Sequence, residues 1–175
     1  MKKKQIVDLV TAIFLIICGS VLLVFPVFHF MEVKLIFLVV LGIYGMLNLI
    51  QYLLTKESKD YEGLFTTIAS IITLVIVLLL DVDKTPWHLA LSLFIWIILM
   101  SLIKLIKADY YHDRKNKIWI LRVVTLGLFI LTGILTTINF RYTSDVQVLV
   151  LGYFFFIHGI LELVDPLTNY LKETK

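Results

Sequence analysis

The chain has 175 residues, 60% of them hydrophobic, and a mean hydropathy of +0.97, which puts it far outside the range of water-soluble domains. Its formal net charge is only +3, and no basic groove interleaved with aromatics marks a nucleic-acid binder. With a single cysteine, Cys18, no internal disulfide can form, and inside an apolar block that thiol reads as buried and inert.

In chain order, the apolar residues form six blocks: 6–25, 35–54, 64–80, 87–106, 118–138 and 146–164. A helix needs roughly 20 apolar residues to cross about 30 Å of hydrocarbon. In lipid every backbone polar group must be paired internally, so each block is predicted to be a helix. A membrane barrel would alternate apolar and polar residues, whereas 71–80 is apolar at nearly every position. The predicted class is therefore an all-α polytopic membrane protein with six transmembrane helices. No stretch outside the blocks could bury a soluble core, so residues 1–175 are expected to form one membrane domain. The first block follows Lys2, Lys3 and Lys4 but no small-x-small cleavage site comes after it, so it reads as a retained span.

Charge on alternate sides of the blocks predicts orientation. One side carries eleven cations: Lys2, Lys3, Lys4, Lys56, Lys59, Lys107, Arg114, Lys115, Lys117, Lys172 and Lys175. The other carries three: Lys34, Lys84 and Arg141. The positive-inside rule then places both termini in the cytoplasm, with the excess charge facing anionic lipid at the inner face. Trp87 and Trp119 open their spans at opposite faces, where amphipathic rings anchor. Pro26, Pro86 and Pro166 are predicted at or beyond span ends, with none interrupting a helix. Broken helices are the usual pointer to a transporter's substrate site, so this weighs mildly against transport.

The blocks pair into hairpins at about 6–54, 64–106 and 118–164. Gly45-Met46-Leu47-Asn48-Leu49-Ile50, Ser101-Leu102-Ile103-Lys104-Leu105-Ile106 and Gly159-Ile160-Leu161-Glu162-Leu163-Val164 share one pattern: small, apolar, apolar, polar, Leu, β-branched. Two spans per copy make the three copies insert in the same direction, unlike the inverted repeats of many transporters. Lipid offers leucine no reward for leaving it, so helices associate by close packing at small residues. Gly19, Gly42, Gly45, Gly127, Gly133, Gly152 and Gly159 are the expected packing positions. Within its apolar blocks the middle hairpin has no glycine, only Ala69, Ser70, Ala90, Ser92 and Ser101, so the first and third hairpins are expected to pack most tightly.

The stretch Gly19-Ser20-Val21-Leu22-Leu23-Val24-Phe25-Pro26 resembles the first-span signature of the HdeD-like acid-resistance membrane proteins. In that signature a glycine and apolar residues lead to Phe-Pro at the outer membrane edge. The glycine-rich second span and the three-hairpin plan are also similar, over nearly the whole chain. The middle copy departs, with no evident counterpart of Gly19 or Phe25-Pro26. The resemblance implies a six-span inner-membrane protein, linked in some bacteria to acid stress, and carries packing motifs and no catalytic ones.

Polar groups at membrane depth cost a few kcal/mol, about 2.5–3.5 for Lys, Arg or Asp at a helix centre. The repeat aligns Asn48 with Gln51, Lys104 with Lys107, and Glu162 with Asp165, each pair on one helix face. Packed around a threefold axis, Lys104 and Glu162 could neutralise each other, directly or through Asn48. The alternative is that each snorkels to the nearby interface. Asp8 and Arg122, each eleven residues before its repeat's glycine, form a second candidate pair with the same alternative. His29, His88 and His158 are candidate pH-responsive groups. His158 and Glu162 at i, i+4 resemble half a metal site, but no second ligand pair is apparent. Asp109 to Asp113 reads most simply as a solvated linker. No nucleotide loop, catalytic triad, metal quartet or phosphate cradle appears, so neither enzyme activity nor a cofactor is expected. Three roles remain open: a stress-associated membrane protein, a small transporter or channel, and an assembly subunit whose glycine faces hold a second copy or another membrane protein.

Overall fold

The structure is a computed structural model that describes residues 3–24, 33–56, 60–80, 86–113, 118–139 and 144–173. These form six helices: α1 Lys3–Val24, α2 Val33–Thr55, α3 Glu62–Leu79, α4 Pro86–Asp113, α5 Ile118–Asn139 and α6 Ser144–Glu173. Each is long and apolar enough to cross a membrane, and no strand occurs among the described residues. Exposed apolar side chains such as Ile17, Met46, Leu78 and Leu131 cover the outside. On a soluble protein such a surface would be a liability; in a bilayer it is the lipid face. Phe25, Pro26, His29, Asp81 and Asp83 lie outside the described residues.

The helices form a closed ring in chain order, with α6 returning against α1. The most extensive contacts are α1 with α6, α2 with α3, and α4 with α5, so packing between hairpins exceeds packing within them. The expectation that the first and third hairpins pack most tightly is not met within the hairpins, where α3 meets α4 at least as extensively as α1 meets α2 or α5 meets α6; the tightest seam instead joins the first hairpin to the third. Three glycines explain it. A methyl added at Gly19 would stand 2.3 Å from Phe156 N and 2.7 Å from Gly152 O. One at Gly159 would stand 2.8 Å from Ile16 N and 2.9 Å from Ala12 O, and one at Gly152 would stand 2.8 Å from Leu22 Cβ. Only hydrogen at these positions lets the two backbones approach so closely.

Gly45 packs on Ser70, and Gly133 packs on Ile97. Two of the expected packing glycines do not pack. A methyl at Gly42 or Gly127 would meet nothing within 4 Å. Both sit on turns of α2 and α5 that face away from the seams, which the i, i+3 spacing of Gly42 and Gly45 does not reveal. The middle copy also gains a glycine that lies outside its apolar blocks. Helix α3 begins at Glu62, and Gly63 lies against α2, where a methyl would be 2.4 Å from Asn48 O.

The helices run further than the apolar blocks. Residues 109–113 continue α4 as helix, so the expected linker is helical, although Asp109, Tyr110, His112 and Asp113 are exposed. Pro166 lies inside α6, correcting the expectation that no proline interrupts a helix. Its missing N–H frees a carbonyl one turn earlier, at the level of Glu162. Most buried hydroxyls bond their own backbone: Ser70 Oγ donates to Thr66 O, Thr73 Oγ1 to Ala69 O, and Thr136 Oγ1 to Thr132 O.

The repeat also organises the centre of the ring. Its spacing (45, 101, 159) carries Phe37 to Leu93 and Leu151, Val40 to Trp96 and Phe154, and Tyr44 to Met100 and His158, and all of these are buried. The rings of Tyr44, Trp96, Phe154 and His158 meet, with Phe129 from α5 beside them. Helices α2, α4 and α6 thus fill the axis with stacked layers of large side chains.

Candidate functional site

Below the Tyr44, Met100 and His158 layer the same three helix faces turn polar. Asn48, Lys104 and Glu162 form the next layer, then Gln51, Lys107 and Asp165. All six line one small cavity of ≈ 20 Å³, together with Asp8 and Thr11 of α1 and Glu62 and Thr66 of α3. That volume admits about one water molecule.

Lys104 Nζ donates to Glu162 Oε1 at 2.5 Å, directly and without Asn48, whose amide donates to Tyr44 O of its own helix. Lys104 also lies 5.4 Å from the centre of the Phe129 ring. His158 Nε2 sits 2.9 Å from the same Glu162 Oε1, while its Nδ1 is buried without a partner. His158 therefore joins the apolar ring layer to the charged layer beneath it.

A second network runs around the ring. Lys4 pairs with Asp60 and, at 3.2 Å, with Glu62. Lys107 pairs with Glu62 and, at 2.8 Å, with Asp165. Arg122 Nη1 reaches Asp165 at 2.9 Å and stacks over the Tyr111 ring at 4.3 Å. Asp60 Oδ1 also accepts from the Glu62 backbone N–H at 3.2 Å, one residue ahead of the N-cap position Tyr61. Each charge is held by an opposite one, which offsets the cost of removing both from water.

Asp8 and Arg122 do not meet. Arg122 is taken by Asp165, and Asp8 accepts from Gln51 Nε2 at 2.5 Å. The physical reason is the ring order: α1 neighbours α2 and α6, whereas α5 lies between α4 and α6. His88 lies in the first turns of α4, far along the helix from Lys104 and Lys107, and accepts from Ser92 Oγ through its backbone carbonyl. Sequence reasoning singles out Lys104 and Glu162 but misses Lys4, Asp60 and Glu62, which sit at helix ends beyond the apolar blocks. It also misses the ring layer, which the repeat spacing applied one turn earlier would find. Among the described residues, Asp109, His112 and Asp113 are three metal-ligating side chains that come together, and all are exposed.

The chain belongs to the family described as "Short repeat of unknown function (DUF308)", which matches residues 10–80 and 127–170. The matched segments take in the close α1–α6 seam and leave out 81–126, the part of the chain around the glycine-poor second half of the middle copy. No curated protein and no solved structure matches the chain.

Proposed function

We propose that this is a non-enzymatic, multi-pass protein of a bacterial inner membrane that supports survival of acid or envelope stress, with both termini in the cytoplasm. The observation that supports it best is the axial cluster, in which four carboxylates, Asp8, Glu62, Glu162 and Asp165, line one cavity and His158 contacts Glu162, in the cation-rich half of the bundle. Their place between α2, α4 and α6 sets this charged layer where all three repeats meet, so a change of charge there bears on the whole bundle. The resemblance of the first span to HdeD-like acid-resistance proteins points the same way. Transport draws less support, because Trp96, Phe154 and Tyr44 fill the axis next to the cavity.

The test is a deletion strain challenged with acid shock. We expect lower survival and slower recovery of internal pH, both restored by the wild-type gene. Equal survival and equal recovery would overturn the reading. Orientation is tested separately. In a Cys18→Ala background, cysteines placed at Asp83 and Thr143 should react with an impermeant thiol reagent from outside, and one at Asn116 should not. The opposite pattern would place the charged cluster on the outer side.

A further inference from the structure

We propose that Asp8, held by Gln51 at the axial cavity, is a binding site for a single proton. The inference rests on the acid-stress reading for its physiological meaning, but the site is argued from geometry. Counting charges isolates Asp8. Asp60, Lys4, Glu62, Lys107, Asp165 and Arg122 form one connected network of three carboxylates and three cations. Lys104 and Glu162 form a second pair that is also neutral with His158 uncharged. Asp8 is the carboxylate left over, and no cation lies within 4 Å of it among the described residues. Lys4 stands one turn earlier on α1 but is engaged by Asp60 and Glu62. The groups facing the cavity around Asp8 are Tyr44 and Gln51 from α2, Glu62 from α3, Lys104 and Lys107 from α4, and Glu162 and Asp165 from α6. Every charged member of that set already has an opposite partner.

Gln51 is the second observation. It is 5% exposed, lines the cavity, and has its Oε1 buried with no hydrogen-bond partner. An ionised carboxylate needs donors, and a protonated carboxyl also needs an acceptor for its O–H. A side-chain amide offers both. Its NH2 serves the carboxylate, and its free oxygen can take the carboxyl O–H, through one water in the ≈ 20 Å³ cavity or by rotation of the amide. The step is the simplest balanced one: a carboxylate and a proton become a carboxyl, and the cluster becomes neutral. A calcium or magnesium ion would need about six or more oxygen ligands, which Asp8 and Gln51 beside a water-sized space do not supply.

The experiment is an acid titration of the purified full-length protein in lipid nanodiscs, followed by the infrared carbonyl band of protonated carboxyl groups. We expect Asp8→Asn to lose one titrating component while the others persist, and to keep wild-type helicity, since asparagine has the shape of the protonated side chain. Gln51→Met should move that component's midpoint to higher pH, because the donor that favours the carboxylate is gone. Replacing sodium by choline at constant ionic strength should leave the component unchanged. The proposal is overturned if Asp8→Asn titrates like wild type, if Gln51→Met leaves the midpoint in place, or if the component depends on sodium. A normal acid phenotype in the deletion strain, with the Asp8 component present, would sink the stress reading and leave the proton site standing.

Discussion

Replacing Gly19 with leucine should prevent this protein from accumulating as a folded bundle, while the same change at Gly127 should leave it intact. The contrast follows from what each new side chain would meet. At Gly19 the first carbon already collides with the backbone of α6, at Phe156 N and Gly152 O. Backbone cannot rotate aside as a side chain can, so α1 and α6 would have to separate along the seam that closes the ring. Overpacking a tight interior typically costs about 1–3 kcal/mol, and a forced backbone shift lies at the upper end or beyond. Gly159→Leu should behave similarly, since it meets Ile16 N and Ala12 O. Gly45→Leu should be milder, because its nearest obstacle is the Ser70 side chain at 3.2 Å. At Gly127 nothing lies within 4 Å, and leucine is the better helix former by up to about 1 kcal/mol, so that variant should be neutral or slightly stabilised. Yield and thermal unfolding of the detergent-purified proteins give the ranking. Equal stability of the Gly19→Leu and Gly127→Leu proteins would show that the α1–α6 seam does not close as described.

The glycines also show where sequence stops being sufficient. Block length and hydropathy predict six helices because a bilayer imposes those lengths directly. The repeat makes the axial partners legible as well, since Lys104 and Glu162 occupy one place in two copies. Sidedness within a helix is harder. Gly42 and Gly45 are on adjacent turns, yet only Gly45 meets a neighbour, and nothing local distinguishes them. The pairing of Arg122 is illegible for a related reason. Equal depth suggests Asp8 as its partner, but partners are set by ring order, and α6 stands between α1 and α5. Glu62 and Asp60 escape a hydropathy reading because they lie outside an apolar block. A helix that starts two residues earlier than the block brings Glu62 to the cluster, where its backbone N–H donates to Asp60.

Lys104→Met and Glu162→Gln should each destabilise the protein, and the double variant should recover part of the loss. The two groups meet at 2.5 Å, with about a fifth of each side chain exposed, 21% and 22%. Removing either one leaves the other charged at membrane depth with its main partner gone. For buried pairs that loss is about 3–5 kcal/mol, and the partial exposure here places it near the lower end. The two losses should differ in kind. Glu162 serves Lys104 and His158 through one oxygen, so Glu162→Gln disturbs two contacts. Lys104→Met breaks one contact and leaves Glu162 with His158 alone. Removing both charges restores neutrality, and methionine fits the apolar surroundings of Phe129, so the double variant should be more stable than Glu162→Gln alone. It should not reach wild type, because a glutamine amide makes a weaker hydrogen bond to His158 than the carboxylate does, and the bond to Lys104 is gone. Unfolding measurements on the four proteins give the coupling energy directly. A coupling indistinguishable from zero would mean that the two ends are held separately by solvent at the membrane edge, and that the polar layers of the repeat do not meet on the axis.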